Sequence, residues 1–492
     1  MKIVIAGAGQ SVSHWTPGGE EAAPSPHSLR VEAARAALGT LREVDVLAVV
    51  RTTEDSVPTS TYPHGRNANP PGTLARDLRL SARERIYHHV GGQSPQELVG
   101  EAANRIARGE IASALIVGAE ATGASKLARR AGLTLDWSDD DDSDFEDRGA
   151  ALDWLDPDEL RHGLMTPALY YGLMETALAH SRGMGRAAHR RAMGELFAPF
   201  SEVASRDRFA QFGTARRADW LGTPSPDNYP VADPYLKWHV AQDAVNQGAA
   251  VLVMGEARAD ALGLAPRTYV CGGGEAVDAQ LSRRAELHRS DAMAHAVRAA
   301  LDATGREAGG LDALDLYSCF PVAVWSALEA LEGGPDGVAL TVTGGLPFFG
   351  GPGNNYSLHA IARMHDRLAG TDGTGLVLAN GGWMSKESVG VYSGAPCGFA
   401  PVAPAAVLPP ALELARDGGA GVLESATFAH GREGPRPGTA LVRLRDGRRA
   451  LATVSGEALA RLEADVPPIG APVDVVVENG VGRLAFSGAA GS

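Results

Sequence analysis

The sequence predicts an α/β protein with two layered halves, a helical insertion between them and a small C-terminal β domain. Short apolar strand segments alternate with amphipathic helices in residues 1–120 and again in residues 263–400, as in layered α/β folds. Residues 121–240 are acidic, Arg-rich and helical in character. After residue 417 the pattern changes to alternating strands with tight-turn dipeptides, which indicates an all-β domain.

The first half is predicted from apolar segments and helix punctuation. A helix is expected after Ser28, because apolar residues recur on one face and Gly39 supplies a C-terminal stop. A loop rich in Pro and Gly then runs to Gly72. The strands that we predict in this half are residues 3–6, 44–50, 114–117 and, in the returning segment 241–262, residues 249–254.

The second half repeats the alternation of strands and helices. Its helices are predicted at residues 294–301, 322–331 and 355–368, and its strands at residues 314–317, 338–342, 376–379 and 389–392.

The C-terminal region is predicted to be a separate β domain on a stiff connector. Residues 401–417 form a Pro-rich linker, which favours an extended chain. Residues 418–489 contain two pairs of strand segments that flank Asp446-Gly447 and Asn479-Gly480. Such dipeptides supply the positive φ angles of tight hairpin turns.

Composition excludes several classes of protein. The 492 residues correspond to about three domains at roughly 150 residues each. The net charge is −14, so strong phosphate-driven binding to nucleic acid is not expected. The sequence has no run of about 18 apolar residues, and we expect no membrane span. Three cysteines, Cys271, Cys319 and Cys397, are too few for a disulfide framework or a structural zinc site, which favours a cytoplasmic protein.

One candidate site lies at the start of a helix in the first half. Ser94-Pro95-Gln96-Glu97 has the pattern of a capping box, with Pro at the first helical position. The preceding Gly91-Gly92-Gln93 would then lie at the positive end of the helix dipole, where a thiolate or a carbonyl oxygen is stabilised. The geometry suits a nucleophile that the sequence does not provide.

The second half repeats this arrangement and adds two glycine-rich loops. Ser318-Cys319-Phe320 follows a strand and leads into Pro321, so Cys319 is expected in the helix-dipole environment that lowers a thiol pKa. The glycine-rich loops are residues 344–353 and 380–383, and each follows a predicted strand. Glycines there allow a substrate to approach the backbone closely.

Three other motifs do not fit the chemistry that they suggest. Gly7-Ala8-Gly9 lacks the third glycine of a dinucleotide fingerprint, since Val12 takes its place. Gln93-Ser94-Pro95 lacks the glycines of a serine-hydrolase elbow. The acidic residues 136–147 lack the glycine and the glutamate of a calcium loop. We therefore predict no nucleotide cofactor and no metal.

The four loops together resemble those of the thiolase superfamily, in particular the sterol-carrier-protein thiolases and the thiolase-like proteins with an added C-terminal domain. Residues 109–120 are similar to the strand before the family's Gly-x-Glu turn, and residues 246–252 to its Asn-Asp-Gly-Ala-Ala segment, with Gln247 in place of the acid. The resemblance implies a duplicated five-layered thiolase fold with a helical loop-domain insertion and an OB-like β domain.

The sequence departs from this family at the reactive positions. By register, the place of the acyl-accepting cysteine is Gly91, the histidine of the Gly-His-Pro motif falls on Gly351, and the cysteine of the Cys-x-Gly loop falls on Asn380. The His-Asp-Cys-Phe loop reads Tyr317-Ser318-Cys319-Phe320. Ping-pong thiolase chemistry needs a nucleophile and a base, and neither is present at its expected position.

The resemblance leaves three functions open. The first is binding of an acyl-CoA or an acyl-carrier thioester with residual or altered acyltransferase activity, in which Cys319 acts as acid/base or nucleophile. The second is a retro-aldol lyase for hydroxyacyl-CoA that uses the hydroxyls of Tyr317 and Tyr356. The third is a non-catalytic CoA-binding or scaffold protein. A homodimer is possible in each case, because thiolases usually pair through the sheet of the first half.

The resemblance also implies the substrate-binding residues. No cofactor other than the CoA thioester is expected. The residues predicted to shape the site around Cys319, Tyr317 and Tyr356 are Gly91, Gly92, Ser318, Phe320, Gly350, Gly351, Pro352, Asn380 and Gly381.

Overall fold

A computed structural model describes residues 1–56, 60–152 and 154–487. The first half of its α/β body has the alternation that the sequence predicts, with an additional helix and strand between residues 70 and 87. Its elements are β1 (Ile3–Val12), α1 (Pro26–Leu38), β2 (Glu43–Val49), α2 (Pro70–Leu78), β3 (Ser81–Tyr87), α3 (Ser94–Ala107) and β4 (Ser113–Glu120).

The insertion is mainly helical, as predicted. It is followed by the strand that returns to the first half. The elements are α4 (Thr122–Ala131), β5 (Glu146–Asp147), α5 (Pro157–Arg161), α6 (Pro167–Ser181), α7 (Arg186–Ala204), α8 (Ala218–Gly222), β6 (Pro230–Ala232), β7 (Tyr235–Leu236) and the returning β8 (Gln247–Gly255).

The second half agrees with the sequence except at one predicted strand. Residues 338–342 are irregular, and Leu340 contributes one backbone hydrogen bond, from Leu316 N–H at 3.0 Å. The carboxylate of Asp315 accepts the backbone N–H groups of Val342 and Thr343, so these groups are not available to a strand ladder. The elements are α9 (Glu256–Ala261), β9 (Thr268–Val277), α10 (Asp291–Thr304), β10 (Ala313–Leu316), α11 (Pro321–Ala330), α12 (Tyr356–Leu368), β11 (Thr374–Gly381) and β12 (Lys386–Ser393).

The two halves have matching strand orders and confirm the duplicated five-layered fold. The sheet runs β10-β11-β12-β9-β1-β8-β4-β2-β3-β5, and β1 and β9 join the halves in antiparallel register. Helices α3 and α12 contact each other and strands of both halves, so they form the middle layer. Helices α1 and α10 cover the outer faces. The outermost long strand of the first half is β3, and the short β5 pairs with its end. A homodimer through this edge stays a prediction.

The strand β1 is longer than predicted and contains both glycines of Gly7-Ala8-Gly9. A Cβ atom on Gly7 would lie less than 3.0 Å from the backbone oxygen of Ala37, and one on Gly9 would meet Ala33 at a similar distance. The glycines therefore allow α1 to pack directly on the strand, which is a structural role. Helix α1 itself begins three residues earlier than predicted, with Ser25 as its N-cap.

The C-terminal region is a closed five-stranded β-barrel, which confirms the OB-like domain. Its strands pair in the cyclic order β15-β16-β17-β19-β18 and back to β15, with β17 and β19 parallel. Asn479 and Gly480 have positive φ angles in the predicted hairpin turn. The elements are β13 (Ala406–Val407), β14 (Leu414–Ala415), β15 (Gly419–Gly431), β16 (Gly434–Leu444), β17 (Arg449–Val454), α13 (Gly456–Leu462), β18 (Pro472–Glu478) and β19 (Val481–Phe486).

The barrel is hydrogen-bonded to the rest of the chain, which the sequence did not indicate. Strand β15 pairs with β6 of the insertion, and Thr427 donates to the backbone oxygen of Asp233 at 2.8 Å. Within the predicted linker, β13 pairs with β9 and β14 pairs with β17. The barrel is therefore attached at several points rather than through a connector alone. Residues 488 and 489 of the predicted domain lie outside the described residues.

Two of the three cysteines are paired, which the sequence analysis did not predict. Cys271 in β9 and Cys397 form a disulfide with a Cα–Cα distance of 5.7 Å across 126 residues of sequence. Cys319 is free and buried. Among the described residues, no helix combines the length and the apolar character needed to cross a membrane.

Candidate active site

The predicted loops of the two halves meet at one place. A Cβ atom on Gly92 would lie less than 3.0 Å from both the Tyr317 hydroxyl and the backbone oxygen of Asn380. The Asn380 amide lies 3.8 Å from the Cys319 sulfur. The structure thus brings three of the four loops into direct contact.

The fourth loop, residues 344–353, reaches the same place through its C-terminal end. Gly91 N–H donates to Asn354 Oδ1 at 3.1 Å. Gly351 N–H donates to the backbone oxygen of Gln242 at 2.8 Å, and the adjacent Ala241 N–H donates to that of Cys319 at 2.9 Å. Gly350 and Pro352 are buried beside it. Gly351 therefore does not bind Cys319 directly; the segment Ala241-Gln242 lies between them and is hydrogen-bonded to both.

The helix start in the first half differs from the predicted capping box. Helix α3 begins at Ser94, with Gln93 as the N-cap residue and no side-chain cap. The Ser94 hydroxyl donates instead to the backbone oxygen of His89 at 3.1 Å, and Glu97 binds the His89 ring at 3.1 Å. The capping-box prediction is therefore wrong, because the side chains of Ser94 and Glu97 are both engaged by His89.

The nucleophile position in the first loop is closed by neighbouring groups. Gly91 has a φ of +141°, which disfavours any other residue, and a Cβ atom there would clash with the Gln93 side chain. At Gly92 the space is filled by the Tyr317 hydroxyl and by backbone. The loop therefore has the backbone of a catalytic loop without room for a reactive side chain.

Cys319 has the opposite of the expected reactivity. Burial raises the pKa of the Cys319 thiol to about 12. The free N–H at the start of α11 is already used, because Val322 N–H donates to the buried Glu175 carboxylate at 2.9 Å. The prediction of a lowered thiol pKa is therefore wrong. The thiolate that attacks an acyl group is therefore strongly disfavoured at neutral pH.

The groups around Cys319 are neutral and aromatic. Tyr171 in α6 accepts a hydrogen bond from the Asn380 amide at 3.1 Å, and its ring stacks on Phe320 with 4.2 Å between ring centroids. Burial raises the pKa of Tyr171 well above its ordinary value. Ser318 accepts a hydrogen bond from Leu346 N–H at 3.2 Å and so joins two loops. These groups can donate hydrogen bonds to a carbonyl oxygen, but they provide no base for Cys319.

The two candidate tyrosines have different roles in the structure. Tyr317 contacts the first loop at Gly92, and burial raises its pKa above the ordinary range. The Tyr356 hydroxyl donates to Asp315 at 2.9 Å and is bonded to Thr343 at 2.6 Å. The Tyr356 hydroxyl is thus already committed to a structural network, whereas Tyr317 lies where the loops meet.

Sequence analysis missed Tyr171, Gln93 and Glu387 as residues of this site. Glu387 is 2% exposed and lies in β12 directly opposite Asn380 of β11. The sequence did contain a signal for Glu387, because it precedes the apolar residues of a buried strand. Unpaired charges are rarely buried without a function. Tyr171 comes from the insertion, and its proximity depends on how α6 packs on α11.

One cluster near the first loop has the residue types of a metal site. Single ligand atoms of His88, His89 and Glu97 lie within 4.8 Å of one another. The Arg148 guanidinium, however, lies 3.2 Å from His88 Nδ1 and can only donate. This contact makes Nδ1 the acceptor and places the ring proton on Nε2, the atom that a metal would need. The cluster is better described as ion pairs around Glu97.

Similarity to solved structures agrees with this architecture. No family model and no curated protein sequence matches the chain. A monomeric SCP2-thiolase-like protein, type 1, from Mycobacterium smegmatis is 32% identical over 99% of both chains, with a TM-score of 0.80. The Ltp2–ChsH2(DUF35) aldolase is 19% identical over 80% of this chain and 97% of that one, with a TM-score of 0.57. The dimeric peroxisomal thiolase of Saccharomyces cerevisiae is 14% identical over the same shares, with a TM-score of 0.55.

Proposed function

Because the chain belongs to the SCP2-thiolase-like proteins of the thiolase superfamily, we propose that its four loops bind the acyl thioester of coenzyme A or of another pantetheine carrier. We further propose that the bound acyl group is not passed through a covalent acyl-enzyme. The observation that carries this proposal is the state of the nucleophile position, Gly91, which has a φ of +141° and where a Cβ atom would clash with the Gln93 side chain.

Covalent acyl transfer needs an activated nucleophile within reach of the thioester carbon. Gly91 and Gly92 offer none, and Cys319 is buried with a pKa raised to about 12 by that burial. The Asn380 amide, by contrast, is a hydrogen-bond donor beside Cys319, held by its contacts with Tyr171 and Met384. A fixed donor of this kind stabilises negative charge on a thioester oxygen. The site therefore supports binding and polarisation of the thioester more than ping-pong transfer.

We expect acetyl-CoA to bind with one site per chain, because the loops that would hold it are retained. Isothermal calorimetry with acetyl-CoA, CoA and acetate measures this binding. Asn380→Ala is expected to weaken acetyl-CoA binding about tenfold, the loss of one hydrogen bond, while Cys319→Ala leaves it unchanged. If neither CoA nor acetyl-CoA binds, the proposal fails. If the unmodified chain consumes the thioester and Cys319→Ala does not, the acyltransferase function is supported instead.

A second function, carbon–carbon cleavage of a hydroxyacyl thioester, is favoured by the position of Tyr317. Its hydroxyl lies beside Gly92, the residue that follows the nucleophile position Gly91 in the first loop. A tyrosine hydroxyl can move a proton to or from a substrate oxygen without forming a covalent intermediate. The aldolase named above has the same fold.

For this function we expect aldehyde release from a 3-hydroxyacyl-CoA, measured by a coupled reductase assay. Tyr317→Phe should lower the rate by about 10²- to 10⁴-fold, the usual contribution of acid/base catalysis. Tyr392→Phe is the matched control, because Tyr392 is also buried but donates to Gln96 away from the loops. Equal rates for Tyr317→Phe and the unmodified chain would contradict a role for this hydroxyl.

A further inference from the structure

A buried carboxyl group lies next to the site and has no partner in the structure. Glu387 is 2% exposed, and neither of its carboxyl oxygens has a hydrogen-bond partner within residues 1–56, 60–152 and 154–487. Burial of a carboxyl group without a hydrogen-bond partner costs folding free energy, so such a group is usually kept for a ligand or a function. The position of Glu387 therefore calls for an explanation beyond packing.

Sheet geometry directs Glu387 toward the loops. It is the direct cross-strand neighbour of Asn380 in the antiparallel pair β11 and β12. Side chains of such neighbours project from the same face, with Cβ atoms about 4.5–5.5 Å apart. Because the Asn380 amide is directed at Cys319 and Tyr171, the Glu387 carboxyl is on the face where the loops meet.

The groups that face Glu387 come from three elements. Cys319, Tyr317 and Tyr171 on one side are neutral at physiological pH, because burial raises the pKa of each. On the other side Arg284 is 4% exposed and has one guanidinium nitrogen, Nη1, without a partner in the described chain, and Asp278 lies 3.8 Å from its Nε. Burial raises the pKa of Glu387 well above its ordinary value, with Arg284 opposing and Asp278 adding to the shift. The surroundings of Glu387 thus favour its protonated form more than water does.

We propose that Glu387 is the acid/base that moves a proton to and from the α-carbon of the acyl thioester bound at this site. This inference rests on the proposed thioester binding. In one direction the ionised carboxylate takes the α-proton: the C–H bond breaks, an O–H bond forms on Glu387, and the electron pair of the C–H bond forms the enolate of the thioester. In the other direction the neutral Glu387 returns its proton to the enolate carbon.

The groups around Glu387 fit both the neutral thioester and the enolate that this step connects. The Asn380 amide, one strand away, can donate to the enolate oxygen, where the charge develops. The same step completes the carbon–carbon cleavage considered above, since that reaction leaves an enolate that must gain a proton at its α-carbon. One carboxyl would thus replace the proton-transfer function that the substituted loops lack.

The test is exchange of the α-protons of acetyl-CoA in D₂O, followed by mass spectrometry, with the full-length protein. We expect the unmodified chain to exchange them faster than buffer, at a rate that rises with pH because only the ionised carboxylate accepts the proton. Glu387→Gln should lower this rate at least about 100-fold. Gln has the shape of the neutral acid, so the variant should fold. Glu275→Gln is the control, because Glu275 is a largely buried carboxyl of the neighbouring strand β9 that accepts from Ser388, outside the loops.

Calorimetry with acetyl-CoA on the same samples separates the two proposals. Binding that is equal in the unmodified chain and in Glu387→Gln, with exchange lost in the variant alone, supports the assignment. Binding without exchange, or exchange that survives in Glu387→Gln, overturns the role of Glu387 and leaves thioester binding intact. Absence of binding overturns both. As a second readout, the infrared difference spectrum between the unmodified chain and Glu387→Gln should show the loss of one protonated-carboxyl band, while Glu275→Gln keeps that band.

Discussion

Asp315→Ala is expected to destabilise the protein by at least about 3 kcal/mol, because it removes the acceptor of five hydrogen bonds at a fully buried position. The carboxylate accepts from the backbone of Val342 and Thr343 and from the hydroxyls of Thr341, Thr343 and Tyr356, at 2.9–3.1 Å. At this buried position, water cannot easily replace the acceptor that these N–H and O–H groups lose. Urea unfolding followed by fluorescence measures the loss.

Two further variants separate the causes of this effect. Asp315→Asn keeps the volume, and its carbonyl oxygen can take the place of Oδ2, which accepts four of the five hydrogen bonds. The Tyr356 hydroxyl can accept from the NH₂ group, so most of the stability should be retained in this variant if the hydrogen bonds carry the effect. Asp372→Ala, at an exposed acid of the same half, should change stability by less than about 0.5 kcal/mol. A change below about 1 kcal/mol in Asp315→Ala would show that the Thr341–Gly345 segment finds other acceptors.

Arg449→Met is expected to cost about 3–5 kcal/mol, because Arg449 is a fully buried charge that joins the barrel to the α/β body. Its guanidinium donates to Glu424 and to the backbone oxygens of Ser282 and Arg284, the latter at 2.7 Å. The substitution leaves these carbonyl groups without their donor and leaves Glu424 only its hydrogen bonds from Arg443. Because Arg284 also faces Glu387, we expect the loss to reach the candidate site.

Calorimetric unfolding and limited proteolysis in the 401–417 segment measure this effect. The barrel of Arg449→Met should unfold in an earlier transition and expose the segment to cleavage. The neighbouring Arg448→Ala is the matched control, since Arg448 pairs with Asp417 and Asp446 at the surface, where solvent screens such pairs. Equal stability of the two variants would contradict an anchoring role for Arg449.

The sequence was most informative where local chemistry determines the backbone. The helix stop at Gly39 and the hairpins at Asp446-Gly447 and Asn479-Gly480 were predicted because these residues accept positive φ angles. By contrast, β3 carries several charged residues near the sheet edge, so its sequence lacks the apolar run of a buried strand. The strand predicted at residues 338–342 failed because a distant carboxylate, Asp315, captures its backbone groups.

The candidate site was predictable as a set of loops but not as a set of contacts. Glycine-rich segments after strands identified the loops, and the family resemblance indicated which side chains had been replaced. The pKa of Cys319 was predicted in the wrong direction because the sequence does not reveal how completely the thiol is buried, and that burial raises its pKa. Tyr171 and Glu387 reach the site from a different domain and a different strand, so only the packed structure brings them there.

The backbone of the first loop also bears on how the thiolase nucleophile could be re-engineered. A cysteine at Gly91 would have to adopt a φ of +141°, and its Cβ atom would meet the Gln93 side chain. At the next residue, Gly92, a side chain would meet the Tyr317 hydroxyl and the main chain of Asn380. A single substitution in this loop is therefore not enough to rebuild a covalent site, because the backbone and the side chains around it would have to change as well.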